Sequence, residues 1–231
     1  MRRPSPSAIF VTLTALLVTL SLGVWQLQRL AWKQDLMARM QAGLAATPLP
    51  LAAHLDILAD LNHRAVIVQG RFLHDLEAHI GPRSYRGQVG LHVLTPLRMK
   101  SGATVLINRG WIPNQRRNPA SRALGQTAGP VTIRGTLRSY FERGGWTPDH
   151  DKKFDLWFWY DIPGIAAARN LELPAAVVLA DGQANAGGLP VGGVARPVLR
   201  NNHVQYAITW FFLAAVVAVI FLLAHRRREA A

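Results

Sequence analysis

The chain has no cysteine among its 231 residues. Disulfide staples are excluded, and so are thiolate ligands for zinc, copper or an iron–sulfur cluster. Acidic residues are scarce too: 13 Asp and Glu stand against 26 Lys and Arg, a formal net charge of +13. Carboxylate chemistry therefore has little to draw on. The clearest acidic cluster, Asp149, Asp151 and Asp155, is interleaved with His150, Lys152 and Lys153 and reads as a solvated loop rather than a metal site. The dinucleotide and phosphate loops are absent (GxGxxG, GxxxxGK[ST]), as are HExxH and GxSxG. His54, His63, His74, His79 and His92 show no ligand spacing; His74 and His79 fall in an expected turn, and His92 stands alone in an expected strand. The chain does not read as an enzyme.

Charge of either sign is missing from two long stretches. Nothing charged lies between Arg3 and Arg29, where Ala8 to Val24 is almost wholly apolar, and Val204 to Ala224 is a second such run. About 20 helical residues cross a hydrocarbon core roughly 30 Å thick, so both runs are long enough to span a membrane. The first run also resembles a signal peptide, but it exceeds the roughly 7–15 residues of an h-region and Val24-Trp25-Gln26 is a poor cleavage site. It reads as an uncleaved anchor. Arg2 and Arg3 precede one span and Arg226, Arg227 and Arg228 follow the other, which places both termini in the cytoplasm. The remaining arginines are scattered without interleaved aromatics. Attraction to anionic membrane lipid accounts for them, and nucleic acid is not expected as a partner.

The expected organisation is a cytoplasmic N-terminus (1–7), a transmembrane helix (8–25), an extracytoplasmic β-rich domain (26–202), a second transmembrane helix (203–224) and a basic tail (225–231). The first helix should continue past the membrane, through Trp25, Arg29, Trp32 and Lys33, until Thr47-Pro48-Leu49-Pro50 ends it. Leu51–Leu61 reads as a short helix. Then come short runs rich in Val, Ile, Leu and Thr: Ala65–Phe72, Val89–Arg98, Ala103–Ile112, Val131–Ser139 and Ala176–Leu179. With Lys100-Ser101-Gly102 as a hairpin turn, they predict a mainly antiparallel α+β domain, a sheet or small barrel. Gly70, Gly110 and Gly135 inside these runs predict bulges or bends. Pro163–Asn170 reads as a helix, and Gly182–Pro197 as a flexible linker.

His203 differs from the other histidines because it stands at the mouth of the second span. On a continuing helix His203, Tyr206 and Trp210 fall at i, i+3 and i+7 and share a face. A neutral imidazole beside aromatic rings at the lipid edge suits axial ligation of a haem iron. The other reading is an interfacial aromatic belt with Asn201 and Asn202 capping the helix.

Six segments carry a resemblance across nearly the whole chain: Gly23–Lys33 (GVWQLQRLAWK), Val68–Phe72 (VQGRF), Val105–Pro113 (VLINRGWIP), Val131–Arg138 (VTIRGTLR), Leu156–Asp161 (LWFWYD) and Asn201–Phe211 (NNHVQYAITWF). In that order and between two spans, they resemble the surfeit-locus-one (Shy-type) family of cytochrome c oxidase assembly proteins. The resemblance implies a non-catalytic protein of the bacterial inner membrane, with its central domain periplasmic. It would bind haem a transiently, receive it from haem A synthase and assist its insertion into oxidase subunit I, alone or as a homo-oligomer. His203, as ligand to the haem iron, and Trp210 map onto the family's haem-contact positions, with Tyr206 beside them. The alternative is a scaffold that holds subunit I and haem A synthase without carrying haem. Arg109 is a candidate partner for a haem propionate or for a neighbouring carboxylate, and Trp111, Trp157 and Trp159 read as core or recognition aromatics. The sequence departs from the family at Asp149-His150-Asp151, where many relatives carry Asn, so no Asn role carries over there.

Overall fold

The structure, a computed structural model, describes residues 4–139, 141–195 and 201–226. Arg2, Arg3, Arg227 and Arg228, on which the orientation partly rested, lie outside the described residues. The chain divides into two compact units, one of Met1–Arg39 with Val198–Ala231, the other of Met40–Pro197.

The first unit is a pair of helices. Helix α1 runs Pro6–Ala45 without a break, in keeping with the absence of proline between Pro6 and Pro48. At 40 residues it is about 60 Å long, twice a hydrocarbon core. Helix α3 begins at His203 and ends at His225. Both are long and apolar enough to cross a membrane, and only 6% and 11% of their most apolar windows are buried, which a soluble core helix would not show. Span hydroxyls are satisfied within their own helix: Thr12 and Thr19 donate to Ala8 O and Ala15 O, both at 2.8 Å. That leaves no bare donor facing lipid there. Small residues line the helix pairing, with Gly23 buried on α1 and Ala207 and Ala214 on α3. A Cβ at Gly23 would stand 2.7 Å from the Phe211 ring, so glycine is what lets that ring close on the α1 backbone.

The second unit is built on eight strands: β1 Leu49–Pro50, β2 Ala65–Phe72, β3 Ala78–Tyr85, β4 Gln88–Met99, β5 Thr104–Pro113, β6 Pro130–Arg138, β7 Leu156–Trp157 and β8 Val177–Ala180. Their order is β1-β2-β6-β8-β5-β4-β3-β7, and β2 also pairs with β4. That extra pairing closes β2, β6, β8, β5 and β4 into a five-stranded ring, which removes the edges an open sheet would expose. The two faces of the central strands carry separate cores. Val66, Val68, Leu97, Val105, Ile107, Leu137 and Val178 pack together in one. Leu94, Leu106, Val177 and Leu179 join Trp157 and α2 (Ile162–Arg169) in the other. Helix α2 is started by Asp161, whose Oδ1 accepts from Gly164 N at 3.0 Å, and stopped by the left-handed Asn170.

Several expectations need correction. Leu51–Leu61 is one short 3-10 turn at Leu51–Ala53 followed by turns, since its hydrogen bonds reach back only three residues. Strand β3 lay unpredicted because Gly81-Pro82 interrupts it and shifts its register on β4. His79 is therefore in a strand, not a turn. A bulge occurs at Gly110, but Gly70 and Gly135 sit in unbroken ladders. They are instead points of close approach, where a Cβ would stand within 2.5 Å of Arg98 O or Leu179 O. The expected linker is hydrogen-bonded to β5 rather than free: Trp111 and Val191 exchange backbone bonds at 2.9 and 2.8 Å. Its last two residues, 196 and 197, lie outside the described residues.

Candidate functional site

In the helix pair, His203 is the first residue of α3, and Asn201 Oδ1 takes its backbone N–H at 3.4 Å. Asn202 occupies the cap position without a side-chain capping bond. The imidazole Nδ1 lies 2.7 Å from Gln26 Oε1. An amide oxygen only accepts, so Nδ1 is the donor of this bond, and Nε2 is the ring nitrogen it leaves over. His203 makes no other side-chain bond among the described residues. Gln26 is 9% exposed although it stands at the end of the apolar run of α1. Such burial demands a partner, and His203 supplies it.

The predicted trio is only partly gathered. Trp210 lies two turns below His203 on the α1-facing side, in line with buried Ala207 and Ala214, and is half-buried like His203. Tyr206 is 55% exposed and sits at the margin of that face. Gln26 is the residue that sequence reasoning missed. The signal was there: an amide just past a long uncharged run, before Arg29.

The β unit holds two buried polar groups. In one, Asn108 Nδ2 donates to His92 Nδ1 at 3.2 Å and to Tyr160 Oη at 2.7 Å, while its Oδ1 accepts from Gly110 N at 2.9 Å. Burial first, and the positive charge of Arg83 second, push the His92 imidazole down to about 4. It is neutral, and it braces the bulge. In the other group, Glu77 accepts from Arg122 and stands 3.3 Å from His79 Nε2. Burial alone would raise the Glu77 carboxyl, but His79 and Arg122 outweigh it and hold it below the ordinary range.

Arg109 adjoins this second group and is the residue that bulges out of register between β4 and β5. It makes no ion pair among the described residues: its Nη2 donates to Gly125 O and, at 3.4 Å, to Asn185 Oδ1. Trp111 and Trp157 are core residues, 5% and 3% exposed, while Trp159 is half-buried. The acidic cluster is dispersed among cations, Asp149 on Arg143 at 2.8 Å and Asp155 on Arg169 and His150. Among the described residues no group of three or more His, Asp or Glu is placed to hold a metal ion.

Comparison with known proteins adds a family. Residues 13–215 match the family model described as the SURF1 family. A SURF1-like protein of Monosiga brevicollis is 33% identical over 224 aligned residues, covering 91% of this chain and 84% of its own. Surfeit locus protein 1 of Rattus norvegicus is 33% identical over 235, covering 95% and 75%. The Homo sapiens protein of the same name is 33% identical over 216, covering 87% and 71%.

Proposed function

Because the chain belongs to the SURF1 family, we propose that it is a non-catalytic assembly factor for haem–copper cytochrome c oxidase that carries haem a as cargo toward subunit I. The observation that carries this reading is the His203–Gln26 pair. Metal-bound histidines donate their second ring N–H to a fixed acceptor, which sets the tautomer and aims the other nitrogen at the metal. Gln26 is such an acceptor, and Nε2 is the nitrogen left over. In this reading Nε2 ligates the haem iron, Trp210 packs on the macrocycle, and exposed Tyr206 borders it.

Haem A synthase would supply the cargo and subunit I would receive it, with the protein acting as a chaperone in the bacterial inner membrane. The charge-free spans and Arg226 support cytoplasmic termini and a periplasmic β unit. A homo-oligomer sharing one haem is compatible with His203 as a single ligand from each chain.

The test is an absorption spectrum of the protein purified from membranes that also make haem A synthase. His203→Ala should lose nearly all bound haem. Gln26→Leu should keep the ligand but weaken its hold about 10–100-fold, as loss of an outer-shell partner does elsewhere. Wild-type haem content with an unchanged spectrum in His203→Ala would overturn the assignment. The competing reading is a scaffold for subunit I and haem A synthase, in which the same bond only locks two helices together. It is favoured if the native protein co-purifies with oxidase subunits yet holds no haem.

A further inference from the structure

We propose that the cavity beside Arg109, within the β unit, is a binding site for a small organic monocarboxylate with the Arg109 guanidinium as its charge partner. This inference stands apart from the haem reading, since it uses no residue of the helix pair.

The first observation is an unmatched charge. Arg109 is 2% exposed, and its Nε and Nη1 have no hydrogen-bond partner among the described residues. Buried cations are ordinarily paired, because an uncompensated charge in a low-dielectric interior is costly. Here the local account does not balance. Glu77 is already engaged by Arg122 and His79, and Arg122 is itself buried. Two guanidinium groups thus share one carboxylate. Burial, and then the like charge of Arg122, lower Arg109 to about 10, with Glu77 opposing. The Phe72 ring, 4.6 Å beneath the guanidinium, offsets part of the charge but supplies no acceptor.

The second observation is a place for the missing anion. Arg109 lines a cavity of about 240 Å³ together with Phe72, Ile107, Ile133, Asp181 and Asn185. That volume is below the roughly 300–1,000 Å³ of sites for drug-sized ligands, so a molecule of few atoms fits and a tetrapyrrole ring does not. The walls decide the ligand class. Phe72, Ile107 and Ile133 offer apolar surface to an organic body, which inorganic anions lack. Glu77 serves two guanidiniums, an excess of one positive charge, so one negative charge balances the account and a doubly charged phosphate or dicarboxylate overshoots it. A monocarboxylate with a compact apolar body meets each condition, its charge set against the Arg109 guanidinium.

Benzoate is the probe, titrated into the full chain in detergent micelles, with benzamide as the uncharged isostere and chloride as the bare anion. Benzoate should raise the unfolding temperature saturably and bind at least about 10-fold more tightly than benzamide, the factor expected of a hydrogen bond to a charged group. Arg109→Met should lose that preference. Arg134→Gln, at an exposed residue on the rim of the cavity, should hold affinity within about 3-fold. On the native chain, cross-relaxation from benzoate protons should reach the Ile107 and Ile133 methyls, a readout that does not depend on any variant folding. Equal binding of benzamide, a response to chloride alone, an undiminished benzoate response in Arg109→Met, or contacts elsewhere on the chain would each overturn the proposal.

Discussion

The helix pair and the β unit treat buried polar groups in opposite ways. In the helix pair one amide and one imidazole satisfy each other, Gln26 to His203 at 2.7 Å, and span hydroxyls such as Thr12 and Thr19 return their protons to their own helix. Nothing there is charged by necessity, and the spare capacity is a single lone pair. The β unit buries full charges: Glu77, Arg122 and Arg109 are each under a tenth exposed. Its spare capacity is a guanidinium with unused donors. A lone pair suits a metal and an unpaired cation suits an anion. One rule covers both units: a buried polar group keeps whatever valence its neighbours leave unsatisfied.

Removing one arginine or the other gives the sharpest break of this contrast. Arg122→Met strands Glu77 as a buried carboxylate without its ion-pair partner, and should cost about 3–5 kcal/mol. For a unit of this size that is a fall of about 10 °C in unfolding temperature, measurable by near-ultraviolet circular dichroism. Arg109→Met strands no charged partner, only the neutral acceptors Gly125 O and Asn185 Oδ1. It should leave stability within about 1 kcal/mol of the native chain, or raise it. Equal losses at the two positions would mean that Arg109 is as fully compensated as Arg122.

The bulge that carries Arg109 is the next place to press. Gly110 has φ near +118°, and a Cβ there would stand 1.9 Å from Val191 O. Both obstacles are backbone. Gly110→Ala should cost about 3 kcal/mol by strain and by loss of the Trp111–Val191 pairing. Amide exchange at Trp111 and Val191 should speed up before global unfolding does.

Much of this frame was legible in the sequence. Ala65–Phe72 was read as a strand with its observed bounds, and α1 could be followed through Trp32 because nothing broke the helical pattern. Legibility failed where one residue's role depends on a distant partner. Nothing near Gln26 announces that it meets His203, 177 residues away. Ring closure through Gly70 and Met99 is likewise a long-range pairing, and β3 was hidden because Pro82 disguises an otherwise extended run. His203 stands out in the sequence for the opposite reason, being an isolated ionisable residue at the start of an apolar run.

Acid should act on the β unit through His92. Its ordinary value is 6.5 and its folded value about 4, so the unfolded chain takes up a proton that the folded chain refuses. The contribution is fully present above pH 6.5 and is lost as the pH falls toward 4, about 3 kcal/mol in all. His92→Asn, which keeps an acceptor for Asn108, should flatten the stability profile across that window. An identical slope in the variant would place the titration elsewhere.

The smallest expected effect comes from repeating the glycine substitution in the helix pair. A Cβ at Gly23 would meet the Phe211 ring at 2.7 Å, an overlap as real as the one at Gly110. The obstacle here is the far edge of a side chain, which can swing. Within a helix, alanine also gains roughly 0.5–1 kcal/mol over glycine. The two terms nearly cancel, so Gly23→Ala should shift stability by less than about 1 kcal/mol, read as thermal unfolding in micelles. Any loss that does appear should be recovered by adding Phe211→Leu, because a smaller side chain removes the overlap. A large loss that Phe211→Leu fails to restore would show that α1 and α3 meet there backbone to backbone. The helix pair would then be as unyielding as the bulge.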